Sequence, residues 1–243
     1  MTRRREAARL LVRSLFVQGS INERTLIGSG FSWALLPPSR STGREGTEAE
    51  AVVPGPEESF NSHPYLTPLA LGATARARAE GMPSTELRSF LAALRSPLGS
   101  LGDRLIWSTW RPLCLLGALL GIVLGAPPAP VVAGVFLVYN GLHIFLRVWG
   151  LRVGLAHGTE VAPALGAARL PARSERLAAL GVLILGVLAG LAIVHALGHG
   201  VPGGVWAGTG ALLLLAGIRG GAAVRPWTRV LVLGLVSAGL LLP

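Results

Sequence analysis

Asn61, Ser62 and His63 place an amide, a hydroxyl and an imidazole next to one another, between Phe60 and Pro64. Pro64 disfavours helical backbone at His63, so the three side chains are predicted to lie on a loop. Neutral donors and acceptors of this kind can bind the hydroxyl groups of a sugar. The same residue types also cap ordinary loops, and the residues alone leave both interpretations open.

A second polar segment, 97–103, is rich in glycine and leads directly into the apolar half of the chain. Its glycines predict a turn or hairpin, and a charged loop at a membrane edge is costly unless it lines a cavity or an interface. Asp103 is predicted to pair with Arg104 or Arg111, and so to fix this loop rather than to act as an acid or base. The predicted structural or gating loop comprises Gly99, Gly102, Asp103, Arg104, Trp107 and Arg111.

Polar side chains also interrupt an apolar run at Tyr139, Asn140 and His143. Inside a membrane helix such groups either bond to neighbouring helices or mark a pathway. Asn140 is therefore a further candidate for substrate binding.

Residue patterns of conventional enzyme chemistry are hard to find in the sequence. The single cysteine, Cys114, lies in an apolar run and is predicted to be a buried small hydrophobe. His195 and His199 have the spacing of a metal pair but lack an evident third ligand. The glycine-rich stretches lack the Lys and Ser/Thr of a phosphate-binding loop. We expect no catalytic residue, no metal site and no cofactor.

The composition predicts a membrane protein. Hydrophobic residues make up 51% of the 243 residues and charged residues only 14%, and the mean hydropathy is +0.57. A soluble domain needs more surface charge than this. The net charge of +10 comes from arginine without lysine. Because no basic run is interleaved with aromatic residues, we expect no nucleic-acid partner.

The distribution of arginine predicts a topology, since cytoplasmic connections are enriched in basic residues. The arginine-rich N-terminus and the connections 152–176 and 219–229 should face the cytoplasm, and the uncharged connections 126–130 and 198–204 should face outward. Several apolar runs are short for a bilayer core of about 30 Å, and Arg111-Pro112 interrupts the first, so half-helices or re-entrant hairpins are expected. The five predicted runs are Leu105–Gly125, Val131–Trp149, Leu177–Leu197, Val205–Ile218 and Trp227–Leu242.

The fold predicted from these patterns is an all-α integral membrane protein, a multi-helix bundle with short, broken or re-entrant helices. Residues 1–36 form its amphipathic N-terminal helical region, with a basic face suited to the inner leaflet or to an ordinary protein surface. Residues 37–58 are an acidic Pro/Gly-rich loop, 59–104 a polar loop and helix region, and 105–243 the transmembrane region.

Glycines recur at four-residue spacing in the apolar runs, which lets helix backbones approach closely in lipid. These faces are expected to pack against other helices, either within this chain or in a partner. The spaced glycines are Gly117, Gly121 and Gly125, Gly186 and Gly190, and Gly204 and Gly208.

Four blocks taken in order resemble the IID membrane subunit of the mannose/fructose/sorbose type of bacterial phosphotransferase system (PTS). The resemblance covers roughly Val12 to Gly158. Three positions depart from the family pattern: Ile21 replaces the usual Trp, the acidic residue after Asn22 is shifted in register, and Arg104 stands where a small residue or Pro is frequent. The carboxy-terminal part is also shorter than is typical. The matching residues are Gln18-Gly19-Ser20-Ile21-Asn22 with Gly30-Phe31 and Ala34-Leu35-Leu36-Pro37; Phe60-Asn61-Ser62-His63-Pro64-Tyr65; Pro97-Leu98-Gly99-Ser100-Leu101-Gly102-Asp103 with Trp107 and Arg111-Pro112; and Asn140, Arg147, Gly150 and Gly154.

This resemblance implies a multi-pass subunit of the bacterial inner membrane with a cytoplasmic N-terminus, which joins a IIC subunit in a higher hetero-oligomer. In such systems a hexose enters through IIC and IID and is phosphorylated by IIB, which is supplied through IIA. The phosphoryl carriers are other chains, so this chain is not expected to be an enzyme by itself. Asn22 joins the candidate substrate-binding residues Asn61, Ser62, His63 and Asn140.

Two other functions are compatible with the sequence. The chain could be a regulatory or sensory membrane protein derived from such a subunit. It could also be a structural partner, with every sugar contact made by IIC.

Overall fold

The computed structural model describes residues 3–36, 55 and 58–196, and these residues are predominantly helical. The α-helices are α1 Arg3–Phe16, α2 Gly28–Leu35, α3 Thr67–Ala79, α4 Ser84–Gly102, α5 Arg111–Val123, α6 Pro128–His157, α7 Val161–Ala167 and α8 Leu170–Ala196. A π-helix, Asp103–Trp110, joins α4 to α5, and 3-10 turns occupy Val17–Ser20 and Gly158–Glu160. Most of the predicted acidic loop 37–58 and the apolar runs Val205–Ile218 and Trp227–Leu242 lie outside the described residues.

The chain divides into two compact units. The first unit comprises Met1–Ile106 and Asn140–Pro171, and the second comprises Trp107–Tyr139 and Ala172–Pro243. The described part of the first unit therefore holds α1 to α4, the C-terminal half of α6, and α7. The second unit holds α5, the start of α6, and α8.

In the first unit, α3 and α6 pack with their backbones in direct contact. A Cβ added to Gly154 would lie 2.1 Å from the carbonyl oxygen of Leu69, and one added to Gly72 would lie 2.6 Å from that of Leu151. Both distances are below van der Waals contact, and the obstructing atoms are backbone, which cannot rotate away. Only glycine permits this packing, as in closely packed membrane helices.

The N-terminal helices α1 and α2 complete the core of the first unit. Leu10, Val17 and Phe31 are fully buried, and the Phe31 ring lies 4.4 Å from that of Phe60. This helical region agrees with the amphipathic start predicted from the sequence.

The arginines of α1 have a structural role in this packing. Arg9 and Arg13 both donate hydrogen bonds to the carbonyl of Leu36, at the C-terminal end of α2. The last carbonyls of a helix lack intrahelical partners and carry partial negative charge, so cationic donors stabilise them. Burial, together with the neighbouring Arg9, lowers the pKa of Arg13. The basic side chains near the middle of α1 are therefore turned toward α2.

The segment predicted to be a glycine-rich turn or hairpin is helical, so that prediction is wrong. Gly99 and Gly102 lie inside α4, which also contains Pro97, and Asp103 begins the π-helix that follows. The predicted interruption at Arg111-Pro112 is also wrong, because Pro112 lies at the start of α5, where the helix continues. Proline lacks the N–H of an α-helical bond, and the wider hydrogen-bonding pattern of the preceding π-helix accommodates that loss.

Within the described part of the chain, two segments are long and apolar enough to cross a membrane, Ser84–Val123 and Pro128–Ala192. Only 17% of the most apolar window of each is buried, whereas the core helix of a soluble protein would be mostly buried. In the second unit many large apolar side chains are exposed on α5, α6 and α8, including Leu119, Phe136, Leu137 and Val187. Such a surface is suited to lipid or to other membrane chains.

Candidate functional site

The loop that carries Asn61, Ser62 and His63 is held at both ends by backbone hydrogen bonds. At its start, Phe60 donates to the carbonyl of Thr25 (3.1 Å) and accepts from Ile27 (3.3 Å). At its end, the carbonyl of His63 accepts from the backbone N–H of Thr67 (3.0 Å) and from the Thr67 hydroxyl (3.0 Å). These bonds form a turn that leads into α3, so the predicted loop is present.

The glycines of α4 provide the surface on which this loop lies. A Cβ on Gly102 would lie 2.1 Å from the Cβ of His63, and one on Gly99 would lie 3.3 Å from Nδ2 of Asn61. The backbone N–H of His63 also donates to the carbonyl of Leu98 at 3.4 Å. The structure thus brings together two predicted groups of residues, and the glycines serve close approach rather than a turn.

Of the three polar residues on the loop, only Asn61 is exposed. Ser62 and His63 are 5% and 2% exposed, and the hydroxyl of Ser62 accepts a hydrogen bond from that of Thr67 at 3.3 Å. In the conformation described here, Ser62 and His63 therefore contact protein, whereas the amide of Asn61 is accessible to a ligand.

His63 is held as a neutral imidazole. Its Nδ1 accepts a hydrogen bond from the backbone N–H of Tyr65 at 3.2 Å, and its ring meets the Tyr65 ring edge to face at 4.9 Å. Burial, followed by the positive charge of Arg147 and the proximity of His143, lowers the pKa of His63 to about 4. His63 is therefore uncharged at neutral pH and can serve only as a neutral hydrogen-bonding group.

A buried polar cluster on α6 lies next to this loop. Nε of Arg147 donates to Nε2 of His143 at 2.5 Å, and the His143 ring stacks on that of Tyr65 at 3.8 Å. Since Nε2 of His143 accepts a hydrogen bond, its proton is assigned to Nδ1. His143 and Arg147 are four residues apart and therefore lie on one face of the helix.

Arg147 is fully buried and joins α6 to α1. It donates to the carbonyl of Ser14 in the last turn of α1, and its guanidinium carbon lies 5.5 Å from the centre of the Tyr65 ring. Within the described residues, Arg147 forms no ion pair, and its Nη2 is buried without a hydrogen-bond partner. A carbonyl, a neutral imidazole and an aromatic face thus stabilise this charge. A buried ionisable residue in a membrane protein is a candidate functional residue, and Arg147 is one here.

Asn22, a candidate from the family resemblance, is fully used within its own turn. Its Oδ1 accepts from the N–H groups of Arg24 and Thr25 (2.9 and 2.8 Å), and its Nδ2 donates to Ser20 and Thr25 (2.9 and 2.7 Å). An amide offers two acceptor and two donor positions, and all four are occupied here. The turn also holds Leu26, whose φ of 55° is unusual for a branched side chain.

The remaining candidates lie on the long helices. Asn140 is half-buried on α6, three residues before His143. Asp103 and Arg104 are exposed on the π-helix. In the second unit, the guanidinium carbon of Arg111 lies 5.0 Å from the centre of the Trp107 ring, so Arg111 is placed by a cation–π contact.

Sequence reasoning singled out His143 as part of a polar interruption of an apolar run, but it missed the roles of Tyr65, Arg147 and Ser14. One signal was available, because two polar residues at i and i+4 in an apolar helix indicate a shared buried face. The stacking of Tyr65 depends on the docking of a loop on a distant helix, for which the sequence carries no local signal.

Comparison with known proteins assigns the family. A sequence model described as the PTS system mannose/fructose/sorbose family IID component matches residues 2–198. The fructose permease IID component of Bacillus subtilis (strain 168) is 27% identical over 191 residues, which are 76% of this chain and 68% of that protein. The mannose-specific EIID component of Escherichia coli (strain K12) is 27% identical over 187 residues, which are 74% of this chain and 65% of that protein. The match thus spans about two thirds of the length of these relatives.

Solved structures agree with this assignment. One chain in the cryo-EM structure of the mannose transporter ManYZ with microcin E492 is similar with a TM-score of 0.56 and 25% identity, over 78% of this chain and 70% of that one. A structure titled only as a membrane protein has a TM-score of 0.65 at 22% identity, covers 97% of this chain and 96% of that one, and supports the fold alone. The predicted all-α membrane fold is confirmed. With its family model extending over most of its length, the chain belongs to the mannose/fructose/sorbose family of PTS IID components.

Proposed function

We propose that this chain forms, together with a IIC subunit, the pathway by which a mannose-type hexose enters the cell, and that a IIB protein phosphorylates the sugar. Relatives named as fructose, mannose and sorbose components support the sugar class. The similarity to a chain of the ManYZ transporter supports a complex of membrane subunits. In this proposal the phosphoryl-transfer residues belong to IIB and IIA, and this chain contributes transport rather than catalysis.

The orientation in the bacterial inner membrane follows from the positive-inside bias. Exposed Arg4 and Arg5 lie at the N-terminal end of α1, and the segment between α6 and α8 is flanked by Arg152, Arg169 and Arg173. We assign both regions to the cytoplasmic side, because basic residues near membrane segments remain there.

Asn61 is the side chain that we assign to sugar contact, and its placement is the observation that carries the proposal. It is exposed, neutral and positioned against Gly99 by a loop whose other polar residues are buried. A neutral amide can exchange hydrogen bonds with sugar hydroxyls without the strong attraction of a charge, which suits a site that must also release its ligand. Ser62 and His63 then position Asn61, and Asn140 is a second candidate contact.

Uptake of labelled hexose into vesicles containing this chain and its IIC partner, with phosphorylated IIB inside, tests the assignment. We expect Asn61→Ala to abolish uptake while the membrane complex still purifies intact. Ser89→Ala, at an exposed serine on α4, is the matched control and should transport normally. Unchanged uptake by Asn61→Ala would remove Asn61 from the site.

A purely structural role is the second candidate, and the burial of Ser62 and His63 favours it, because their visible contacts stabilise the fold. In that case IIC makes every sugar contact. Binding of hexose to IIC alone and to the IIC complex with this chain separates the two functions. Equal affinity in both preparations supports the structural role, and weaker binding by IIC alone supports the shared pathway.

A further inference from the structure

The outward side of α1 is apolar although the helix lies at the basic end of the chain. Val12 is 56% exposed, Leu15 37% and Phe16 65%. Their spacing of three and four residues places them on one side of the helix, opposite the buried Leu10 and Ser14. We refer to Val12, Leu15 and Phe16 as the apolar face of α1.

Basic residues extend this face toward the N-terminus. Arg4 and Arg5 are exposed. Arg5 lies about two helical turns before Val12, and Arg4 lies about three turns before Leu15, so both arginines are on the same side of α1 as the apolar face. Arg9 and Arg13, in contrast, are used by the carbonyl of Leu36. The two exposed guanidinium groups therefore remain available to an external partner.

Neighbouring residues continue the same character beyond α1. Ile21 is 59% exposed and Trp33 is 43% exposed. The guanidinium carbon of Arg13 lies 5.1 Å from the centre of the Trp33 ring. Apolar side chains bordered by tryptophan and arginine are typical of helices at the boundary between headgroups and acyl chains.

We propose that α1 lies in the membrane interface, with its apolar face inserted among acyl chains and with Arg4 and Arg5 bound to the phosphates of anionic lipids. The charge of the two arginines selects an anionic lipid surface over a neutral one. Long arginine side chains can reach the phosphate level while the helix axis lies deeper. This assignment is independent of sugar transport.

Site-directed spin labelling of the full-length chain in lipid nanodiscs tests the proposal. A label is attached at Phe16→Cys in a Cys114→Ser background, and its collisions with oxygen, which enriches in lipid, and with a water-soluble nickel chelate are compared. Glu23→Cys, at an exposed residue of the turn after α1, is the control for a label in water. In nanodiscs with phosphatidylglycerol, we expect the label at 16 to favour oxygen and the label at 23 to favour nickel.

The lipid charge provides the second arm of the test. Replacing Arg4 or Arg5 by Gln should weaken the insertion equilibrium of the label at 16 by about fivefold for each charge removed. Nanodiscs of pure phosphatidylcholine should also weaken the insertion of the label at position 16.

Two outcomes would overturn the proposal. The first is accessibility to nickel at position 16 equal to that at position 23. Low accessibility to both reagents would also overturn it, because a second copy or another protein would then cover the face. The spin-label experiment does not depend on hexose uptake, so failure of this proposal can be distinguished from failure of the transport proposal.

Discussion

The two units of this chain differ in how their glycines are used. In the first unit, Gly72, Gly102 and Gly154 each have a neighbouring backbone or side chain where a Cβ would lie. In the second unit, no described atom lies within 4 Å of the Cβ position of Gly117 or Gly134. Gly72, Gly102 and Gly154 therefore serve close packing inside the first unit, where other glycines such as Gly19 and Gly141 are open, whereas the second unit presents Gly117, Gly134 and many large apolar side chains to its surroundings. Glycine content alone does not reveal which of these two uses applies.

The largest effect should come from filling a backbone contact of the first unit. Gly154→Val would force a side chain against the carbonyl of Leu69 and the N–H of Ala73, at 2.1 and 2.7 Å from the new Cβ. Neither atom can move without displacing α3, so we expect a loss of about 4 kcal/mol or more. Thermal unfolding in detergent measures this loss. Gly117→Val is the control, because Gly117 lies in an open environment on α5, and it should change the unfolding midpoint little. Equal losses of stability in the two variants would contradict the difference between these glycines of the two units.

A smaller loss should follow from removing the buried charge of the first unit. Arg147→Gln leaves the carbonyl of Ser14 and Nε2 of His143 without their charged donor, which should cost about 3 kcal/mol. Arg152→Gln changes an exposed arginine five residues later on α6 and is the matched control. Denaturation of both variants measures the difference, and the prediction fails if Arg147→Gln is as stable as Arg152→Gln.

The neutral state of His63 predicts acid sensitivity. Its pKa is about 4 in the folded protein and about 6.5 when unfolded, so the unfolded chain binds a proton first as the pH falls. Stability contributed by neutral His63 is then complete above about pH 6.5 and decreases by about 2 kcal/mol between pH 7.5 and 5. Unfolding of the original chain and of His63→Gln across this range measures the contribution. A pH dependence that is the same in both chains would contradict the prediction.

The smallest effect is expected at the surface of the first unit. Arg88 forms an ion pair with Glu58, and the two side chains are 53% and 37% exposed. Solvent and salt screen such a pair, so Arg88→Gln should alter stability by no more than about 0.5 kcal/mol. The free energy of unfolding of Arg88→Gln at low and at high salt measures this effect. A loss of stability as large as that of Arg147→Gln would show that burial does not determine which of these interactions contributes more.

Much of the fold could be predicted because its signals are local. The composition and the apolar runs indicated an all-α membrane protein, and Pro64 indicated the loop that carries Asn61. The error at Gly99 and Gly102 arose because glycine permits both turns and close helix contacts, and only the docked His63 distinguishes these uses. The cluster around Arg147 could not be assembled from the sequence, since it joins α1, the loop and α6. Its members become recognisable only when the helices are packed together.

The π-helix Asp103–Trp110 should allow the chain to lose one residue in this segment at little cost to the helices around it. A π-helical segment holds one more residue than an α-helix of the same shape, so deletion of one residue within it can restore regular α-helix and leave later side chains on their present sides. The same deletion in the middle of α6 would rotate every following side chain by about 100° and would separate His143 from Arg147 or Gly150 from its contact with α3. We therefore expect the loss of one residue between Asp103 and Trp110 to disturb the flanking helices less than the same loss in α6.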